Sequence, residues 1–330
     1  MSEFYRGKRV LITGGVGFIG SNLALRLIEL GARVLLVDSM LPAYGATLRN
    51  IEPIEGRVLV NFSDVRDQHS LSYIVRGQEL IFSLAGQVSH RESMSDPMTD
   101  LDINCRSQLS LLECCRHGNP AVKIVFASTR QIYGRPRYLP VDERHPLVPV
   151  DINGINKLAA EMYYSLYHSV HGIETVSLRL TNTYGPRMDL QNDRKGFVGV
   201  FLRKALRGET IQVYGSGRQR RDFNYVDDVV DALLRAGETG ATHGEAFNLG
   251  HGEPASLLEF LATLRKFADF EYEMVPFPGE AAAIDVGDYF GDFRKFHEAT
   301  GWTPRVGLEA GLEKTIGYFR EVGVASEQPA

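Results

Sequence analysis

The sequence predicts an α/β fold, a doubly wound parallel sheet with helices on both faces, and three observations support that expectation. Strand-like apolar runs alternate with helical patterns through the first half of the 330 residues, the rhythm of successive strand-helix-strand units. The first run, Val10-Leu-Ile, passes through Thr13-Gly-Gly-Val-Gly-Phe-Ile-Gly20 into a helical pattern. The second, Arg33-Val-Leu-Leu-Val, ends in Asp38, about 20 residues past the glycines, the distance at which a carboxylate meets a dinucleotide's ribose.

Taken in order, strands are expected at 8–13, 33–37, 57–60, 79–84, 122–127 and 174–180, with helices at 18–30, 68–76, 98–117 and 154–171. Val10, Leu11 and Ile12 leave no polar face, as a strand buried on both sides requires. Phe18, Ile19, Leu23, Leu27 and Leu30 repeat at helical spacing, one stripe to lay on a sheet. Right-handed crossovers then bring the loops after the strands to one sheet edge, where functional residues are expected. Past Tyr184-Gly-Pro186 the alternation breaks into turns, a helix at 197–207 and a strand-like Ile211-Gln-Val-Tyr214, while Ala246-Phe-Asn-Leu249 reads as a strand returning to the main sheet. The expected division is a dinucleotide-binding domain of residues 1–185 with 227–251, and a smaller, discontinuous α/β domain of 186–226 and 252–330 that caps the sheet edge.

A hydrophobic content of 44% suffices for a full core, and a net charge of −5 gives no electrostatic footprint for nucleic acid. No apolar run approaches the ~20 residues of a membrane span, and Met1 to Lys8 is polar, unlike a secretory signal. Cys105, Cys114 and Cys115 fall in one expected helix without metal-ligand spacing, so they are read as buried thiols in a reducing cytoplasm, and no metal is expected.

The glycines carry the first chemistry. At Gly14, Gly15, Gly17 and Gly20 the missing Cβ lets the chain bend tightly and brings main-chain N–H groups and the positive end of a helix dipole to a pyrophosphate. Asp38, followed by Ser39, offers acceptors to a 2′-hydroxyl and repels a 2′-phosphate, which favours NAD over NADP. Asp64 and Val65 after the third strand are placed for an adenine ring, and the small residues following Leu84, Ala85 and Gly86, allow close backbone approach. Thr129 at the end of strand 122–127 presents a hydroxyl at the nicotinamide end, and Lys157 on the first turns of helix 154–171 reaches the ribose.

Across nearly its whole length the chain resembles the extended short-chain dehydrogenase/reductase family of nucleotide-sugar epimerases, dehydratases and decarboxylases, with their Rossmann-like fold. The matching motifs are Thr13-Gly-Gly-Val-Gly-Phe-Ile-Gly20, Leu84-Ala-Gly86, Ser128-Thr-x-x-Ile-Tyr-Gly134, Lys157, Asn182 in Leu-Thr-Asn-Thr-Tyr-Gly-Pro-Arg, and Arg221-Asp-Phe-x-Tyr-Val-Asp-Asp. Ala85-Gly-Gln-Val88 and Lys195-Gly-Phe-Val-Gly199 are most similar to CDP-tyvelose 2-epimerases, with UDP-sugar 4-epimerases close behind.

The resemblance implies Gly14, Gly17, Phe18, Ile19, Gly20, Asp38, Ser39, Asp64, Val65, Leu84, Ala85, Gly86 and Lys157 around NAD. It implies Gln87, Ser89, Arg130, Gln131, Asn182, Lys195, Val198, Tyr214 and Arg221 around a nucleotide sugar, with Arg221 on phosphate. Where relatives carry a second phosphate-binding arginine this chain reads Phe277-Pro-Gly-Glu280. The family's catalytic Tyr-x-x-x-Lys becomes Asn153 and Lys157, and an amide cannot take a hydroxyl proton as that tyrosine does. Among neighbours that could, His90 is the first candidate, expected on the loop facing the sugar, and a surface or nucleotide-contacting histidine is the alternative. Tyr133 is read as packing beneath the sugar. Arg130 and Gln131 stand where dehydratases and decarboxylases carry acids, and neither moves a proton near pH 7. The expected activity is therefore an NAD-dependent epimerase acting through a transient keto sugar, with Thr129, Asn153, Lys157 and His90 in catalysis. A lyase with relocated acids and a non-catalytic NAD and nucleotide-sugar binder are the alternatives. Apolar residues on helices 98–117 and 154–171 (Leu101, Leu109, Leu112, Met162, Tyr163, Leu166, Tyr167) imply a homodimer, as in relatives.

Overall fold

The computed structural model describes residues 2–41, 44–193, 196–279, 282 and 284–323, and its centre is a seven-stranded, wholly parallel sheet. We number its strands β1 (Arg9–Thr13), β2 (Arg33–Val37), β3 (Leu59–Asn61), β4 (Leu80–Ser83), β5 (Lys123–Thr129), β6 (Glu174–Leu180) and β7 (Ala246–Asn248). They lie in the order β7-β6-β5-β4-β1-β2-β3. The order reverses between β1 and β4, so the crevice outside their carboxyl ends is where such a sheet takes a ligand. β1, β4 and β5 are buried almost throughout, in line with their unbroken apolar runs.

Helix Phe18–Glu29 lays Leu23, Ala24 and Leu27 on one face of the sheet with Val226–Glu238, and Leu111, Leu112, Tyr164 and Tyr167 of the opposite layer pack on the other. The expected helix at 98–117 is continuous from Pro97 to Gly118 and contains one π-helical turn, at Asp102–Arg106, and the wide turn brings Asn104 inward. A separate apolar core, with Leu202, Phe223, Phe260, Leu261, Leu312 and Phe319, joins Phe197–Arg207, Leu257–Leu264 and Leu308–Glu321. There the parallel pair Ile211–Tyr214 and Tyr272–Val275 replaces the large sheet. Cys105, Cys114 and Cys115 are buried free thiols. Among the described residues no helix is long and apolar enough to cross a membrane, and no cluster of three metal-ligating side chains occurs.

Candidate active site

The glycine turn after β1 is shaped by what a side chain would strike. Gly14 has φ +68°, and a Cβ on it would lie 2.9 Å from the Ala85 Cα; one on Gly20 would lie 2.2 Å from the Gly14 carbonyl oxygen. Neither position accommodates a side chain without a backbone shift, as the tight turn and close strand–helix packing of a dinucleotide-binding motif require. Asp38 Oδ2 accepts from the Val16 N–H at 3.1 Å and Oδ1 from the Met40 N–H at 3.0 Å, which leaves about half of the carboxylate's lone-pair positions for ribose hydroxyls. Ser39 is exposed beside it. Asn61, at the end of β3, has a buried side-chain oxygen without a partner, on the strand whose Asn61 carbonyl accepts from the Asp38 N–H at 3.1 Å. These features fit a dinucleotide. Asp64 differs from expectation: both its oxygens bind Arg66, at 2.7–2.9 Å, so the adenine amino group would have to compete with a guanidinium. That pairing, against burial, holds its carboxyl below the usual range. Val65 beside it is half-buried.

At the nicotinamide end β4, β5 and the long helix Ile152–His171 converge. Asp151 caps that helix, its Oδ1 accepting the Gly154 N–H at 2.7 Å, and fixes where Asn153 and Lys157 emerge. Lys157 is buried against Gly86, over the Phe126 ring, and donates to the Ala127 carbonyl at 3.1 Å. Burial pushes its ammonium down to about 8, with Asp100 pulling the other way. Thr129 Oγ1 accepts the Gln131 N–H at 3.2 Å, leaving its O–H to donate elsewhere.

Asn153 is 2% exposed and committed. Its Nδ2 donates to the Gln87 carbonyl at 2.8 Å and to Asp100 Oδ2 at 3.1 Å. Asp100, fully buried, also accepts from Asn104 Nδ2 at 3.0 Å and Asn156 Nδ2 at 2.8 Å, and Asn104 shares the Gln87 carbonyl at 2.9 Å. Three amides thus surround one buried carboxylate.

His90 opens the short helix His90–Ser95, with Ser89 as its cap, rather than lying on a loop. The S-x-x-E pattern Ser89 to Glu92 is a helix-start signal. His90 Nδ1 lies 3.2 Å from Asp151 Oδ2, off the line of a straight hydrogen bond and with no other partner. Burial raises the Asp151 carboxyl, but His90, the Gly154 N–H and the Arg130 charge together keep it below the usual range. Gln131 Nε2 donates to the same Asp151 Oδ2 at 3.1 Å. Thr129, Gln131, Asp151, Asn153, Lys157 and His90 therefore occupy one site.

Several expected sugar contacts turn inward. Gln87 and Ser89 hydrogen-bond each other, Gln87 Nε2 to the Ser89 carbonyl at 3.0 Å and the Ser89 N–H to Gln87 Oε1 at 2.8 Å. Val198 belongs to the second core. Asn182 donates to the Asp222 carbonyl at 3.1 Å, and Tyr214 is half-buried beside Phe277. Lys195 and Glu280 lie outside the described residues. Tyr133 is fully buried, its hydroxyl donating to Asn248 Oδ1 at 2.7 Å and accepting from Arg179, which pairs with Glu161. Arg221 donates to the Arg220 and Gly287 carbonyls and lies 3.5 Å from Asp285. Burial and the nearby Arg130 charge push its guanidinium down to about 10. Asp222 beside it is fully buried with one oxygen unpartnered, and burial pushes its carboxyl up to about 6.

A pyrophosphate turn at one end and a hydroxyl, a lysine and a histidine-carboxylate pair at the other define a dinucleotide-dependent enzyme. The model of the NAD dependent epimerase/dehydratase family matches residues 10–250, and this chain belongs to that family, whose cofactor is NAD. It is 31% identical to a UDP-glucose 4-epimerase of Mycolicibacterium smegmatis over 94% of this chain and 98% of that protein. It is 33% identical to UDP-glucuronic acid decarboxylase 1 of Xenopus tropicalis over 95% of this chain and 72% of that one. The crystal structure of the UDP-glucose 4-epimerase of Thermotoga maritima with UDP-glucose superposes with a TM-score of 0.86, at 33% identity over 95% of this chain and 99% of that one. The relatives thus span nucleotide-sugar epimerases and decarboxylases on one fold.

Proposed function

We propose that the protein is an NAD-dependent nucleotide-sugar epimerase that works through a transient keto sugar, with His90 and Asp151 in the role the family gives a tyrosine. The observation that carries this reading is the 3.2 Å approach of His90 Nδ1 to the buried Asp151 carboxylate, within three residues of an Asn153 whose amide nitrogen is already engaged. When bound, NAD supplies reversible uptake of hydride from a carbinol carbon. The Asp151 carboxylate facing Nδ1 favours the imidazole proton there once the ring turns into line, so Nε2 is the ring nitrogen that takes the sugar hydroxyl proton and later returns it. The Asp151 carboxylate, held low, stabilises the imidazolium formed in between, as the acid of a catalytic triad does. Thr129 donates its hydroxyl to the reacting oxygen, Lys157 fixes the ribose and favours negative charge on that oxygen, and Asn153 holds the floor of the site.

Arg130 and Gln131 supply no acid for dehydration or decarboxylation, which favours epimerisation over both lyase readings. We assign nucleotide-sugar binding to the segments 186–226 and 252–330, with Arg221 on the diphosphate. Helix Ile152–His171 carries exposed Ile155, Met162, Leu166 and Val170 on one stripe, with Met98 and Leu101 nearby, and we assign this face to a homodimer contact. Leu112 and Tyr167 face the core instead. The three free thiols suit the cytoplasm. The test is incubation of the NAD-loaded protein with UDP-, CDP- and dTDP-sugars, followed by NMR in D2O. An epimer that keeps its carbon-bound hydrogen supports the reading. A dehydrated or decarboxylated product, or none from any sugar that binds, overturns it.

A further inference from the structure

Arg130 follows directly on Thr129, so its Cα lies about 3.8 Å from that of the residue assigned to the reacting oxygen. Its guanidinium rests over the Tyr289 ring, 4.9 Å from the centroid, and donates one N–H to Gln131 Oε1 at 3.1 Å. Among the described residues no carboxylate reaches ion-pair distance. Asp222, Asp151 and Asp285 act on it only through their fields, and burial pushes the group below its ordinary range. Arg221 is different: it is tied to two backbone carbonyls and Asp285. Arg130 is thus a half-enclosed cation without an anion of its own, a costly state, and its charge acts on Arg221 nearby, so a diphosphate on Arg221 and a carboxylate on the sugar are the two anions that could answer it. Four of its five N–H donors remain, in the planar fork that matches a carboxylate bidentately. Contact with the aromatic ring restrains where the fork can sit.

We propose that Arg130 recognises a carboxylate on the sugar, so that the substrate is a nucleotide-linked uronic acid rather than a neutral sugar. This rests on the nucleotide-sugar reading of the site. Neutral hydroxyls would leave the guanidinium charge uncompensated, and an amide or hydroxyl side chain would serve them as well.

The experiment is calorimetric titration of NAD-loaded wild-type protein, Arg130→Gln and Arg130→Lys with UDP, UDP-glucose and UDP-glucuronate, with product NMR on the same samples. Wild type is expected to bind UDP-glucuronate more tightly than UDP-glucose. Arg130→Gln should reduce that preference by about 10- to 100-fold, the range for losing a charge-assisted bidentate contact, and Arg130→Lys should restore part of it. Absence of the preference in wild type overturns the proposal. So does an equal loss for UDP, UDP-glucose and UDP-glucuronate in Arg130→Gln, which would put Arg130 on the diphosphate. A preference that depends on Arg130 without any epimerised product sustains this inference while the epimerase reading fails. Epimerised neutral sugars with no preference for the uronate give the converse.

Discussion

Replacing Asn153 by Asp tests whether that side chain is built into the floor of the site or stands free in the cleft. The change is isosteric, but it puts a second carboxylate where an amide nitrogen now sits 3.1 Å from Asp100 Oδ2. Two full charges at that separation repel by about 5 kcal/mol at an effective dielectric of about 20. Protonating one member of the pair relieves the repulsion, at about 1.4 kcal/mol per pH unit above a carboxyl's usual pKa of about 3.9. That caps the penalty at about 5 to 6 kcal/mol at pH 8 and about 1 to 2 kcal/mol at pH 5. The sign follows because the native pair holds a proton that the unfolded chain has released, so stability falls as pH rises. Asn153→Ala is the control. It removes two hydrogen bonds, yet the Gln87 carbonyl keeps Asn104 and Asp100 keeps Asn104 and Asn156. Its cost should be about 2 to 4 kcal/mol, nearly independent of pH. Urea unfolding of the three proteins at pH 5 and pH 8 measures both. A penalty for Asn153→Asp below about 1 kcal/mol at pH 8, or one that does not change with pH, would mean the side chain does not face Asp100.

Three further outcomes follow from the same geometry. Asp38 just past β2, if its remaining acceptor positions meet the ribose as proposed, should make NAD(H) bind at least about 100-fold more tightly than NADP(H), a difference of about 3 kcal/mol. Comparable dissociation constants by fluorescence titration would refute that. Burial lowers Lys157 from 10.5 to about 8, so between those values the unfolded chain holds a proton the native one lacks. Stability of the NAD-free protein relative to Lys157→Met should then rise with pH across that window by about 3 kcal/mol, and a flat difference would contradict it. The exposed stripe of Ile155, Met162, Leu166 and Val170 should produce a dimer in sedimentation at micromolar concentration. Met162→Glu with Leu166→Glu should yield a folded monomer, and a wild-type monomer would remove that face as a stable contact.

The parts of the fold written as continuous patterns were legible. β1, β2, β4 and β5 fall within about a residue or two of their apolar runs, because strands buried on both faces are mostly apolar, while β6 keeps its expected bounds although Thr175, Ser177 and Arg179 interrupt it and are buried. The glycine turn and Asp38 were legible because their spacing is set by a ligand's shape. Residues 98–117 read as one regular α-helix because a π turn changes the hydrogen-bond register without changing composition. Helix Val226–Glu238 is not among the expected elements, although Val226, Val229, Val230 and Leu233 repeat at helical spacing. His90 reads as a loop residue from the small residues before it, although Ser89 and Glu92 spell a helix start. Of the amides around Asp100 only Asn104 is local, four positions on along the same helix. Asn156 and Asp100 are 56 positions apart and Asn153 and Asp100 are 53, and a buried carboxylate becomes recognisable only once folding has collected its donors. The same holds for Asp151, whose capping role is local but whose contact with His90 is not.

The central claim is that a histidine oriented by a buried carboxylate replaces the missing tyrosine. The measurement that bears on it most directly is turnover of NAD-loaded wild type, His90→Gln and Asp151→Asn on the nucleotide sugar that wild type epimerises. It is followed by NMR from pH 6 to pH 9, with NAD content and melting temperature recorded beside it. His90→Gln is expected to lower kcat by about 10²- to 10⁴-fold with NAD content intact, the range for losing a general acid/base. Asp151→Asn, which keeps an acceptor oxygen for the Gly154 N–H, should lower kcat and alter the pH profile while His90 remains. Wild-type turnover in His90→Gln at every pH would contradict the account.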